Sequence, residues 1–282
     1  MFRRALLCLL LAPLLASTAH ADVLARVKKS KSIAIAYRTD AVPFSFLDEG
    51  KQPTGYSIDL CRSVVGQISE QLRIDRIDIK WVPVTVQNRF DVIAKGQADI
   101  ECGASSVTLS RMKQVSFSSF TFADGIEVLV KSSSGAKRLT DLGGKKIGVL
   151  GGTTNESILR ASLRGGAINA DTVVVASREE GFARFEKGEL DAFVGDQLLL
   201  LGLLAKSQDP RAIAMLDEPL AIEPYALVLP RNDDDFRLSV NTALAHIYRD
   251  GTISGIFGRW FGKLGQPSPI VRMSYTFGAL PE

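Results

Sequence analysis

Hydrophobic and polar positions along the chain follow two alternating periods, and the alternation repeats. Residues 32–37 place β-branched side chains at every second position, a strand pattern. Over 57–72, Ile58, Cys61, Val64, Val65, Ile68 and Leu72 share one face at helical spacing. A second strand is expected at 78–82, a short helix at 88–95 ended by Gly96, and a third strand at 98–102. The same order recurs downstream as strand 145–150, helix 154–163 stopped by Gly165 and Gly166, strand 171–176, helix 179–186 closed by Lys187-Gly188, and strand 190–194. The turn Lys95-Gly96-Gln97-Ala98-Asp99-Ile100 has its counterpart in Lys187-Gly188-Glu189-Leu190-Asp191-Ala192. A glycine between helix and strand is common, so the match means little alone. Taken with the repeated element order, it predicts two α/β lobes of similar build.

Two extended stretches, 126–131 and 225–230, lie between the repeats. Read as crossing strands, they make the second lobe a single insertion over 129–225 and divide the first into 22–128 plus 226–282. The helices expected at 234–249 and 252–261 then return to the first lobe, and the apolar run 198–205 is a buried helix. Two crossings form a hinge that bends while keeping the lobes in register. A ligand would sit in the cleft, at the C-terminal ends of strands and the N-termini of helices.

Residues 1–21 combine Arg3 and Arg4, an apolar run from residue 5 to 15 and Ala19-His20-Ala21, the layout of a signal peptide cleaved before Asp22. The apolar run is shorter than the roughly 20 residues that span a bilayer. Cys8 lies inside that run, so a lipid-anchored leader does not fit. The mature chain is expected to be exported and monomeric. Without the leader, 34 basic and 31 acidic residues become 32 and 31, a balance that points to no nucleic acid and no membrane surface. Cys61 and Cys102 remain, and their pairing is open because the sequence does not fix their separation. With only His246 and no Cys-x-x-Cys, no metal site and no cofactor is expected.

Several polar groups fall at the expected cleft. Arg38 follows the first strand, Arg89 opens a helix, and Cys102-Gly103-Ala104-Ser105-Ser106 leaves a strand toward Arg111. Gly151-Gly152-Thr153-Thr154-Asn155-Glu156 joins a strand to a helix, and Asp196 ends another strand. Guanidinium forks and free helix-start amides suit carboxylates, and an aspartate among them suits an ammonium, so the set fits a zwitterion. Each group also has a bland reading: a solvated arginine, a capping box at Thr153-x-x-Glu156, or a helix cap at Asp196. Gly151-Gly152 lacks the Lys-Ser or Lys-Thr of a nucleotide-phosphate loop.

These residues carry a resemblance. Val42-Pro43-Phe44-Ser45, Gly55-Tyr56-Ser57-Ile58-Asp59-Leu60, Gln87-Asn88-Arg89, Glu101-Cys102-Gly103, Arg111-Met112-Lys113-Gln114, Gly152-Thr153-Thr154-Asn155-Glu156 and Trp260-Phe261 are similar to motifs of the polar amino-acid-binding proteins of ABC transporters, above all the glutamate/aspartate-binding ones. The resemblance implies a periplasmic binding protein-like fold of type II, an amino-acid or dicarboxylate ligand and a permease partner in the inner membrane. It assigns Arg38 and Arg89 to a side-chain carboxylate, and Arg111, Ser106 and Thr153 to the α-carboxylate, with Thr154 also among the ligand-binding residues. Asp196 and the Ala104 carbonyl fall to the α-ammonium, and Arg178 stands near the side-chain site. Departures are Val86 where relatives carry serine, Leu150 where a threonine is expected, and Arg178 where a histidine is expected. They remove hydroxyls and add positive charge.

Cyclohexadienyl dehydratases share this architecture and form the rival reading. Their chemistry needs a protonated carboxyl in the cleft, for which Glu101 and Glu179 are the candidates. A sensory role, with the closed form docking on a receptor, is a third.

Overall fold

The computed structural model describes residues 22–281, and the expected leader over 1–21 lies outside the described residues. The chain opens with α1 (Val23–Ser30), whose N-cap Asp22 accepts the Ala25 amide at 2.9 Å while Val23 and Val27 are buried. It continues through β1 (Ser32–Arg38), β2 (Asp40–Ala41), β3 (Ser45–Leu47), β4 (Pro53–Thr54), α2 (Tyr56–Leu72), β5 (Asp78–Val84), α3 (Arg89–Ala94) and β6 (Ile100–Cys102). A long β7 (Ser116–Lys131) leads to β8 (Lys146–Leu150), α4 (Thr154–Gly165), β9 (Asp171–Val175), α5 (Arg178–Glu186), β10 (Ala192–Asp196) and α6 (Gln197–Leu204). β11 (Ile213–Met215) and β12 (Ala221–Leu229) precede α7 (Asp234–Arg249), α8 (Thr252–Phe261) and α9 (Pro269–Gly278). Side-chain chemistry sets several helix starts. Thr153, Ser177, Asp233 and Ser268 each accept the amide three residues on, satisfying one of the donors a helix start leaves free.

The main sheet runs in the order β5-β1-β6-β12-β7-β10-β8-β9, with β11 beside β7. β5, β1 and β6 are parallel, as are β10, β8 and β9. The antiparallel pair β12 and β7 stands between these sets. The hydrophobic cores divide in the same way. Ile33, Ile35, Ile58, Ile68, Phe236 and Val240 pack in one cluster, and Val128, Ile147, Val149, Leu159 and Val194 in another. On β7, Phe122 and Ala123 belong to the first cluster and Ile126 to the second; on β12, Ala221 packs against the second and Tyr225 in the first.

The crossing is anchored by aromatic rings. Phe44 lies 5.1 Å from Phe122 and 5.4 Å from Tyr225, and Phe122 lies 5.2 Å from Phe261, centroid to centroid. Such contacts contribute about 0.5–1.5 kcal/mol each beyond area burial. Both crossing strands are thus held firmly where they leave the first lobe.

The expected elements are present, most of them with shifted ends. The crossing stretches are parts of longer strands, because Asp124 and Gly125, a turn-like pair, remain in the ladder opposite Glu223 and Ile222. α1, α9 and the small sheet β2-β3-β4 were not expected. Cys61 on α2 and Cys102 at the end of β6 form a disulfide with Cα atoms 6.4 Å apart, which settles the pairing the sequence leaves open. No helix among the described residues is long and apolar enough to cross a membrane.

Candidate ligand-binding site

The strand ends and helix starts of both halves face one another across the crossing pair. Arg38 closes β1, Arg89 opens α3, and Ser105 and Ser106 follow β6; from the other half come Thr154 opening α4, Arg178 opening α5 and Asp196 closing β10. Arg38 and Arg89 are each 4% exposed and Arg178 6%, whereas Arg111 is half-buried. A solvated-surface reading of these arginines is therefore excluded.

Each guanidinium has a fixed setting. Arg38 Nη2 donates to Asp40 Oδ2 at 2.6 Å, and Arg178 Nη1 reaches the same oxygen at 3.5 Å, so Asp40 bridges the two halves. Arg178 Nη2 also lies 3.9 Å from Asp196 Oδ2, which accepts from Asn155 Nδ2 at 3.1 Å. Arg89 donates through Nε to Ser105 Oγ at 3.1 Å and through Nη1 to the Val86 carbonyl. Arg111 Nη1 donates to the Ser106 carbonyl at 2.7 Å. The Arg89 and Arg111 guanidiniums both lie over the Phe90 ring, 4.3 and 4.9 Å from its centroid. Burial, reinforced by Arg111, lowers the Arg89 pKa to about 9. Burial lowers Arg38 and Arg111 too, with Arg178 adding to the effect on Arg38.

Under this layer sits Glu101 of β6, fully buried, with neither carboxyl oxygen in a hydrogen bond among the described residues. Burial raises its pKa, opposed most strongly by Arg89 and also by Arg38 and Arg111. Gly103 makes the arrangement possible. A Cβ there would stand 2.2 Å from Glu101 Oε1 and 3.3 Å from Arg38 Cγ, so any other residue would push the carboxylate off its place.

At the other end, Ser106 Oγ and Thr154 Oγ1 both donate to Glu223 Oε2 at 2.7 Å. Their hydroxyl oxygens are 3.3 Å apart. Across the cleft, Gly202 of α6 meets the chain at Val42, where an added Cβ would lie 2.8 Å from the Val42 carbonyl oxygen. Together with the Arg178–Asp40 contact, this defines a closed arrangement.

The candidates therefore do not all stand alike. Arg38, Arg89, Arg111, Arg178, Ser106, Thr154 and Asp196 converge, and Asp196 makes no side-chain cap to α6. Ala104 is half-buried between Gly103, whose carbonyl accepts from Ser57, and Ser105, whose carbonyl accepts from the Ala226 amide. Thr153 differs: its hydroxyl donates to the Leu150 carbonyl at 2.7 Å and accepts the Glu156 amide, so it serves the start of α4. Sequence reasoning missed Asp40 and Glu223, and it named Asn155 only as part of the turn from Gly151 to Glu156, with no role of its own. The signal for Glu223 was an acid set in the otherwise largely apolar strand Ala221–Leu229, where a buried charge needs partners. Among the described residues, no cluster of His, Cys, Asp and Glu is arranged to hold a metal ion.

A cleft of buried arginines and flanking acids between two α/β lobes is the architecture of an extracytoplasmic solute binder, and residues 33–263 match the family pattern of the bacterial extracellular solute-binding proteins, family 3. The chain belongs to that family. It is 31% identical over 273 residues to the L-glutamate/L-aspartate-binding protein of Pseudomonas aeruginosa, covering 95% of this chain and 89% of that one. It is 29% identical over 283 residues to the glutamate/aspartate import solute-binding protein of Salmonella typhimurium, covering 98% and 93%. Among solved structures, an ancestral amino acid-binding protein described as a precursor of cyclohexadienyl dehydratase superposes with a TM-score of 0.73 at 26% identity, over 84% of this chain and 98% of that one.

Proposed function

We propose that this protein captures an acidic amino acid of the glutamate or aspartate type in the periplasm and presents it to the permease of an ABC transporter in the inner membrane. The observation that carries this reading is the convergence of Arg38, Arg89, Arg111 and Arg178 with Asp196 in one closed cleft. In this scheme Arg38 and Arg89 hold the side-chain carboxylate, with Arg178 adding charge to that end. Arg111, Ser106 and Thr154 take the α-carboxylate, Thr153 shapes the loop that presents Thr154, and Asp196 with the Ala104 carbonyl takes the α-ammonium. The lobes are residues 22–128 plus 226–282 and residues 129–225, and the working unit is a monomer.

Micromolar affinity corresponds to about −8 kcal/mol, which a few charge-assisted hydrogen bonds supply after desolvation and closure are subtracted. The relatives named above are binding proteins, and the carboxyls considered for a dehydratase are poorly placed for catalysis. Glu179 is exposed, and Glu101 is sealed beneath Gly103. A thermal-shift screen of the mature chain against amino acids and dicarboxylates tests the function, because a ligand raises the melting temperature according to its concentration over its dissociation constant. L-glutamate or L-aspartate is expected to give a large upward shift. A clear response to a neutral or basic amino acid with none to either acidic one would overturn the assignment.

A further inference from the structure

Of the carboxylates that have no part in the ligand scheme, Glu223 is the one that sits on the hydroxyls proposed for the α-carboxylate. Glu223 projects from β12, opposite Asp124 of β7, and is 6% exposed. Its Oε2 receives the Ser106 hydroxyl from the first lobe and the Thr154 hydroxyl from the second, each at 2.7 Å. A hydroxyl has a single proton to give. An α-carboxylate drawn to Arg111, Ser106 and Thr154 therefore meets two hydroxyl protons already committed to another anion.

The charges around the cleft sharpen the conflict. The guanidiniums of Arg38, Arg89, Arg111 and Arg178 face the carboxyls of Asp40, Glu101, Asp196 and Glu223. If every one of these groups were ionised, negative and positive charge would already balance. A ligand with two carboxylates and one ammonium tips that balance to net negative, and uncompensated charge in a desolvated site is costly.

We infer that Glu223 couples ligand capture to proton uptake: as the α-carboxylate enters, Glu223 takes a proton from solvent and changes from a competing acceptor into a hydrogen-bond donor toward the ligand. The inference rests on the amino-acid-binding reading above. It explains why a carboxylate is built between the two hydroxyls without blocking the site. The only bond formed is the O–H bond on Glu223, and the proton taken up offsets the ligand's net charge.

Every group facing Glu223 bears on the sign. Burial pushes its pKa up and Asp196 of β10 acts in the same direction, while Ser106, Thr154 and Arg111 pull it down. Asp124 on β7 and Tyr225 on β12 complete the surroundings, and burial keeps both of them protonated to higher pH than usual. An arriving carboxylate draws on Arg111 and the two hydroxyls, the influences that favour the ionised form. The bound-state pKa of Glu223 is therefore higher than the free one. Affinity is greatest below the free value and declines as pH rises through the interval between the two, by at most about tenfold per pH unit for one proton.

The test is calorimetric titration of the wild-type chain with L-glutamate and with L-aspartate from about pH 5 to about pH 8, in buffers of contrasting ionisation enthalpy. Buffer-dependent heats reporting net proton uptake, with affinity falling as pH rises, are expected. In Glu223→Gln the uptake and the pH dependence should both vanish, with affinity near neutral pH equal to or above that of the wild type, since the amide donates without needing a proton. Binding by the wild type with no uptake and a flat pH profile overturns the inference while leaving the function intact. Uptake that persists in Glu223→Gln places the proton elsewhere and also overturns it. Absence of binding by both amino acids sinks the functional reading and this inference together.

Discussion

Replacing Arg111 by methionine isolates the charge that the proposed site places on the α-carboxylate. Methionine keeps an unbranched stem against Phe90, over which the Arg111 guanidinium lies at 4.9 Å. What disappears is the cation, the 2.7 Å bond to the Ser106 carbonyl and the compensation of Glu223, Asp196 and Glu101. Leaving a buried carboxylate without its partner costs roughly 2–5 kcal/mol. That range corresponds to a loss of about 30-fold to about 4000-fold in affinity. Calorimetric titration with L-glutamate and L-aspartate at fixed pH and salt measures the loss, and melting of the ligand-free variant shows whether the fold is intact. A dissociation constant within about threefold of the wild type, in a variant that melts normally, would mean that the α-carboxylate binds away from Arg111.

The contact of α6 with Val42 and the disulfide are equally open to measurement. Gly202→Ala should stabilise the helix by about 0.5–1 kcal/mol in the ligand-free protein, yet place a Cβ 2.8 Å from the Val42 carbonyl and hinder closure. A raised melting temperature with weaker ligand binding is expected, and tighter binding would refute the steric argument. Changing Cys61 and Cys102 to serine opens a link between residues 41 apart in sequence. Chain entropy assigns such a link about 4 kcal/mol, so urea unfolding should show a loss of that order. A loss below about 1 kcal/mol would show that α2 and β6 are held together in the unfolded ensemble without the bond.

Much of the architecture was legible because the repeated strand and helix periods are strong. The helices 234–249 and 252–261 have their expected ends, since Asp233 caps the first and buried residues recur at helical spacing through both. The short terminal helices were hidden for lack of length, although Asp22 before Val23 and Ser268-Pro269 before Val271 are ordinary start signals. β7 was truncated because a turn-prone Asp-Gly pair can still lie in a strand when a partner ladder holds it. In the cleft, arginines at strand and helix ends stood out through their position. Asp40, Asn155 and Glu223 did not, because a polar residue near an element end has many uses and only tertiary contact selects among them. Thr153 shows the converse: its spacing suited both a ligand and a helix start, and the hydrogen bonds it makes are those of a helix start.

The pairing of the two crossing strands limits how this molecule can move. From Phe122 opposite Tyr225 to Ile126 opposite Ala221, β7 and β12 are joined rung by rung, so they form a single leaf instead of two independent cords. A leaf flexes readily about an axis in its own plane and resists torsion, which would shear the rungs. Opening then has essentially one degree of freedom, and a single pair of spectroscopic reporters, one on each side of the leaf, would track the whole excursion.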